Sequence, residues 1–80
     1  MSNLEKYNNA FIEAFTITED KLPGLKYQDI ETWDSVGHMS LVAALEDAFD
    51  IELDTNDIID LSSYEKGKEI LAKEYYGVEF

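Results

Sequence analysis

From Val36 to Phe49 apolar residues recur at spacings of three and four, and the run opens on Asp34-Ser35. That period belongs to an α-helix and not to a strand, whose side chains alternate between faces. Asp34 is a suitable N-cap, because a carboxylate accepts from the unpaired N–H groups of a first turn. The pattern therefore predicts a helix from Ser35 to about Phe49. On a helical wheel this segment carries two apolar stripes. Leu41, Val42, Leu45, Ala48 and Phe49 form the wider one and are expected to face a core. Val36, Met39 and Ala43 lie nearly opposite, flanked by Glu46 and Asp47. A surface helix needs only one apolar face, so the second stripe asks for an explanation.

The other segments read as helices too. Ser2-Asn3-Leu4-Glu5 matches a capping box, and Leu4, Tyr7, Phe11 and Phe15 follow at helical spacing, which predicts a helix from Asn3 to Phe15. The β-branched Thr16-Ile17-Thr18 weakens its continuation. Residues Thr16 to Trp33 form a long connection with Pro23-Gly24 as a turn signal. Connections of that length inside a small domain are often functional. Leu22, Leu25, Tyr27, Ile30 and Trp33 are expected to pin it to the core, with a short helical turn around Tyr27 to Ile30. Asp54 or Thr55 can cap a short helix, Asn56 to Leu61, that carries Ile58 and Ile59. Ser62-Ser63-Tyr64-Glu65 offers a second capping box for a last helix from Ser63 to about Tyr76, with Tyr64, Gly67, Ile70, Leu71 and Tyr75 inward and Gly77 as its C-terminal cap. No segment alternates over a strand's length, and no internal repeat is evident. The expected fold is all-α: a small bundle of three main helices and one short one, with a long first loop, in a single domain spanning residues 1–80.

Composition narrows the function. The chain has 80 residues, 45% of them hydrophobic, which is enough apolar surface for a core, yet a core of that size is marginally stable. There is no cysteine, so neither a disulfide nor a thiolate metal site is available. No apolar run approaches the roughly 20 residues that span a bilayer, and Met1-Ser2-Asn3-Leu4-Glu5 lacks the basic and apolar regions of a signal peptide. The expectation is a cytoplasmic monomer without membrane insertion. The net charge is −12, from 18 acids against 6 lysines. Between Tyr27 and Tyr64 there are many acids and no lysine. Nucleic acid is not an expected partner, since phosphate backbones are held by Lys and Arg. Basic protein surfaces are expected instead, with charge steering the encounter.

Ser35 has two readings. It is either a second helix-start residue satisfied by solvent or the attachment point of a group. A serine in the first turn points outward, toward the positive end of the helix dipole, where a phosphate is favoured. The stretch Asp34-Ser35-Val36-Gly37-His38-Met39-Ser40-Leu41-Val42-Ala43-Ala44-Leu45-Glu46-Asp47-Ala48-Phe49, followed by Asp50-Ile51-Glu52-Leu53, resembles the signature of acyl carrier proteins and related carrier domains. That signature is Asp-Ser-Leu, an amphipathic helix ending in Leu-Glu-x-x-Phe, then a short apolar loop. Size, acidity, lack of cysteine and the long first loop extend the resemblance over the whole chain. It implies that Ser35, after Asp34, bears a 4′-phosphopantetheine arm from coenzyme A, added by a phosphopantetheinyl transferase. The arm's thiol would hold an acyl group as a thioester. The chain would then be no enzyme but the substrate of loading enzymes and downstream transferases with basic docking surfaces. An aminoacyl or peptidyl carrier, as in D-alanylation, is the variant within the class. An acidic helical adaptor without any prosthetic group is the alternative outside it.

Three departures from the signature point to a specialised, discrete carrier. Gly37 and Ser40 stand where fatty-acid members often have acids, Val36 replaces the commoner leucine, and Trp33 and His38 flank Asp-Ser. Gly37 costs a helix roughly 1 kcal/mol against alanine and is expected to loosen the first turn. His38, the only histidine, is placed by the wheel on the side of Leu41 and Leu45, covering the end of the core. Contact with the arm's phosphate is its functional reading, and a serine–histidine hydrolase would need an oxyanion site and a pocket that so small a chain does not promise. Asp50 to Asp60 does not form a calcium loop, because Thr55 and Leu61 stand where the pattern needs glycine and glutamate. No metal site is expected. The stripe Val36, Met39, Ala43 with Glu46 and Asp47 has two readings, an apolar strip partly covered by the long loop or a recognition surface for partners, and the second is the functional expectation.

Overall fold

Ser2 starts the first helix as its capping box requires. Its Oγ accepts from the Glu5 N–H at 3.1 Å, and the Glu5 carboxylate reaches back to the Ser2 N–H at 3.4 Å. The computed structural model describes residues 2–80 and contains four α-helices: α1 (Asn3–Phe15), α2 (Ser35–Phe49), α3 (Thr55–Asp60) and α4 (Tyr64–Leu71). The architecture is the all-α bundle expected, with three main helices, a short α3 and a long α1–α2 loop. Among the described residues there is no strand, only an isolated antiparallel bridge between Lys26 and Ser63. No helix among them is long and apolar enough to cross a membrane.

α1 and α2 are the principal helix pair. Between them and α4 lies an aromatic core. Tyr7, Phe11, Phe15 and Trp33 are all buried, with Phe11 edge-on to Trp33 at 5.6 Å and Phe15 stacked on it at 4.9 Å. Leu41, Val42 and Leu45 complete the core from α2. Ala48 and Phe49, expected in the same stripe, are only half-buried, and Leu4 at the start of α1 is exposed. All three lie within two residues of a helix end. α1 and α2 each stop on a residue in the left-handed region, Thr16 (φ 56°) and Asp50 (φ 53°), whose N–H groups return to Ile12 and Glu46. These caps place both ends where the periodicity put them.

The long loop is built differently from the expectation. Its helical turn is a 3-10 turn at Glu19–Lys21, not at Tyr27 to Ile30. The latter segment is held by pairing with the start of α4. Tyr27 N–H donates to the Ser62 carbonyl at 2.9 Å and Tyr64 N–H to the Leu25 carbonyl at 2.8 Å. Leu22, Leu25 and Trp33 are the buried pins, while Ile30 is half-buried and Tyr27 exposed.

α4 departs most. Its cap is Ser63, whose Oγ accepts from Lys66 N–H at 2.9 Å, rather than a Ser62–Glu65 box. It ends at Leu71, not Tyr76, and Tyr75 is 79% exposed instead of inward. The reason is Asp57, a buried carboxylate on α3. It accepts from Lys73 Nζ at 2.6 Å and from the Tyr76 hydroxyl at 2.5 Å, drawing residues 72–76 off the helical path. Gly77, at φ 65°, then turns the chain so that Val78 N–H meets the Leu71 carbonyl and Val78 enters the core.

Two glycines are demanded by close packing. A Cβ on Gly67 would lie 2.0 Å from the Tyr7 hydroxyl, which donates to the Tyr64 carbonyl at 2.6 Å and so seats α1 on α4. A Cβ on Gly37 would lie 1.8 Å from the Thr32 carbonyl oxygen. Gly37 lets the loop cross directly against the first turn of α2.

Gly37→Ala gives a test of sign. Helix propensity alone predicts stabilisation of about 1 kcal/mol. The contact with Thr32 predicts destabilisation of about 1–3 kcal/mol, as for other overpacked sites, readable from urea or thermal unfolding. A second expectation follows from Asp57. Hydrogen bonds from Lys73 and then Tyr76 hold its carboxyl below the usual carboxylate range. A folded value below the unfolded one, about 3.9, means that this stabilisation is complete above about pH 4 and is lost as pH falls through the folded value. Tyr76→Phe should lower stability at pH 7 and narrow its gap from wild type as both are titrated into acid. A gap that stays constant to pH 2 would show that Asp57 is not the group responsible.

Candidate functional site

The root of α2 is shaped by Asp34. Its Oδ1 accepts from Gly37 N–H at 2.8 Å, and its carbonyl accepts from His38 N–H at 2.8 Å, the first regular bond of the helix. Ser35, one residue on, is exposed, as expected of an outward first-turn serine. Its Oγ lies 3.4 Å from the Tyr27 hydroxyl. No acidic side chain other than the cap Asp34 stands at this first turn.

Ser35 sits on the rim of a groove of ≈ 400 Å³ between α2 and α3. Tyr27, His38 and Met39 line one side, and Ile58, Ile59 and Leu61 the other. Val36 is 78% exposed, Met39 52% and Ile59 72%. The groove is thus mostly apolar, with hydroxyls at one end from Ser35, Tyr27 and Ser62.

His38 bridges the groove's floor. The Trp33 indole N–H, a donor only, points at Nδ1 from 3.0 Å, so Nδ1 accepts and Nε2 carries the proton. Nε2–H then donates to the Ile58 carbonyl at 2.7 Å. This chain joins the loop, α2 and α3 through one side chain. The half-buried position over the core end is the one the wheel indicated. Both ring nitrogens are engaged by Trp33 and Ile58 and neither by Ser35, so the geometry is not that of a serine–histidine pair.

The expected recognition stripe is brought together only in part. Val36, Met39 and Ala43 are exposed on the outer face of α2, as placed. Met39 turns to the α3 groove. Asp47 is exposed but borders a separate hollow between α1 and α2, with Lys6, Ala10 and Ala44. Glu46 is half-buried, and its Oε2 accepts from Leu53 N–H at 2.9 Å, so it ties down the α2–α3 connection rather than standing free beside the stripe. Sequence reasoning missed two neighbours of Ser35. Ile59 carried a signal, because of two adjacent isoleucines on a short helix only one can face inward. Tyr27 carried none, since its approach depends on loop pairing with Ser62.

Comparison with protein-family models, with curated proteins and with solved structures returns no match for this chain.

The two positions on α2 should separate in mutagenesis. Met39→Glu is expected to change stability by no more than about 0.5 kcal/mol, as at exposed sites without special contacts. Glu46→Ala removes the acceptor of a partly buried N–H and should cost about 1 kcal/mol. Equal effects in thermal or urea unfolding would mean that α2 is rotated from the orientation described.

Proposed function

We propose that this chain is a carrier protein in which Ser35 bears a 4′-phosphopantetheine arm and presents an acyl group to partner enzymes. The observation that carries the reading is the setting of Ser35. Its hydroxyl is solvent-exposed on the first residue of α2, behind the Asp34 cap, at the rim of an apolar groove. It lies in the Asp-Ser stretch that resembles acyl carrier proteins. The residues fit the group. An exposed hydroxyl is open to a transferase, the helix start favours a phosphodiester, and the groove offers apolar surface beside the root. When bound, the arm supplies a thiol that holds the acyl group as a thioester, so the protein needs no cysteine of its own.

This chain's own residues then have separate tasks. Asp34 fixes the first turn, so Ser35 is held outward on rigid backbone rather than on a loop. Attachment joins Ser35 Oγ to phosphorus, releases adenosine 3′,5′-bisphosphate from coenzyme A, and passes the hydroxyl proton to a base of the transferase. Val36, Met39 and Ala43, with Ile59 across the groove, form apolar surface at the arm's root, where an enzyme acting on the arm must approach. The net charge of −12 suits phosphopantetheinyl transferases and loading enzymes with basic docking surfaces. The cytoplasm, where coenzyme A is at hand, is the compartment this reading implies. The apolar groove favours an acyl over an aminoacyl cargo.

Incubation with coenzyme A and a broad-specificity phosphopantetheinyl transferase, followed by mass spectrometry, tests the proposal. Wild type should gain one phosphopantetheinyl mass. Ser35→Ala should gain none while keeping its helical circular dichroism. A wild type that no transferase modifies, or a modified Ser35→Ala, would return the chain to the reading of an acidic helical adaptor.

A further inference from the structure

Tyr27 carries a hydroxyl that packing does not require. Its ring stands edge-on to Trp33 at 6.2 Å and 89°, and to His38 at 5.6 Å and 81°. Phenylalanine would make both contacts. The hydroxyl instead reaches Ser35 Oγ, 3.4 Å away. This placement is held by backbone on both sides. Tyr27 N–H donates to the Ser62 carbonyl, the neighbouring Lys26 bridges to Ser63, and Lys26 N–H donates to Asp29 Oδ2 at 2.9 Å. Gln28 takes a left-handed conformation, φ 69°, with its N–H on the Trp33 carbonyl at 3.1 Å. A residue clamped on each side and set against the one candidate attachment serine is unlike an incidental surface tyrosine.

We propose that Tyr27 is a positioning residue of the loaded carrier, its phenolic hydroxyl donating a hydrogen bond to a non-bridging oxygen of the phosphodiester on Ser35. The proposal rests on the carrier reading above. A hydroxyl-to-hydroxyl bond is typically about 2.7–2.8 Å, so the observed 3.4 Å is loose for two neutral groups. A phosphoryl group on Ser35 would carry its anionic oxygens two bonds beyond Oγ, within reach of a hydroxyl that stands 3.4 Å from Oγ. A bond to an anionic oxygen is roughly twice as strong as a neutral one. This part of the chain has no lysine between Tyr27 and Tyr64 and no arginine anywhere. No lysine lines the groove beside Ser35; its side-chain hydroxyl donors there besides Ser35 itself are the neutral ones of Tyr27 and Ser62, and that of Tyr27 is the one within 3.4 Å of Ser35 Oγ. Tyr27 is 36% exposed while its ring packs on Trp33 and His38. Tyr27 and Ser35 line the same groove, so the bond directs the root of the arm along it instead of leaving the arm to swing freely.

Tyr27→Phe deletes the hydroxyl and keeps the ring. Wild type and variant are loaded with coenzyme A and a transferase, loading is confirmed by mass, and 31P NMR spectra are recorded beside a phosphopantetheinyl-serine peptide. The wild-type resonance should lie apart from the peptide's, and Tyr27→Phe should move it back to the peptide value with unchanged circular dichroism. Coincident wild-type and Tyr27→Phe resonances overturn the proposal. Should the variant not fold, heteronuclear cross-relaxation in loaded wild type decides: a Tyr27 ring-proton contact to phosphorus supports the proposal, and its absence overturns it. A wild type that gains no mass overturns the carrier reading and this inference with it, and mass alone reveals that case.

Discussion

A buried indole must find an acceptor for its N–H, or the fold carries the cost of an unpaired polar group of about 1–3 kcal/mol. Trp33 is fully buried at the end of the long loop, and His38 Nδ1 is the acceptor. That bond fixes the tautomer, and the tautomer gives Nε2 a proton to donate to the Ile58 carbonyl of α3. A single need at Trp33 thus joins the loop to α2 and α2 to α3. The groove beside Ser35 inherits its floor from the same bridge. So does Tyr27, whose ring packs against both Trp33 and His38. Replacing either aromatic would disturb the serine's surroundings without touching the serine.

A second constraint comes from bringing the loop so close. Trp33 can enter the core only if the chain just before it passes over the first turn of α2, and there the Thr32 carbonyl occupies the space of a side chain at position 37. The glycine and the tryptophan are therefore two ends of one arrangement. Asp34, between them, turns the chain from that crossing into the helix and caps it through the N–H of the same glycine. The first turn of α2 is set by this crossing and by the Asp34 cap rather than by helix propensity, which is poor at Gly37. Under the carrier function proposed above, a first turn set by this crossing would hold the Ser35 hydroxyl in one place.

The elements whose limits are set locally were legible in the sequence. The Ser2–Glu5 box, the Asp34 cap and the periodicity of α1 and α2 act within a few residues, and both helices run as read. Outward placement of Val36, Met39 and Ala43 followed from the wheel, which needs only the helix itself. What failed depended on partners distant in the chain. The wheel set Glu46 beside the outer stripe, but Leu53 N–H lies within its reach once the chain turns back after Asp50. It could not show that Met39 and Asp47 border different hollows, since that depends on where α1 and α3 pack. Propensity at Gly37 is a property of the helix alone, whereas its environment is set by Thr32. The apolar character of Tyr27 points to a core pin, whereas its nearness to Ser35 goes with pairing of the loop to Ser62.

The end of the chain shows how a charge relation overrides a pattern. Residues through Tyr76 continue the helical spacing of α4, and nothing local stops them at Leu71. Asp57 is held on α3 where its carboxylate is largely removed from water, and a buried carboxylate without a partner is costly. Lys73 and Tyr76 satisfy it only by leaving the helix, and the Tyr76 hydroxyl in turn accepts from Asp54 N–H at 2.9 Å, at the N-terminus of α3. The backbone bonds lost from a longer α4 are recovered in the turn at Gly77 and in the return of Val78 to Leu71. α3 is short, with no side-chain cap of its own. It is held from one side by His38 through Ile58 and from the other by this C-terminal clasp through Asp57. The wall of the groove that faces Ser35 is therefore positioned by contacts made outside α3, which makes its placement relative to α2 depend at once on His38 of α2 and on the C-terminal residues Lys73 and Tyr76.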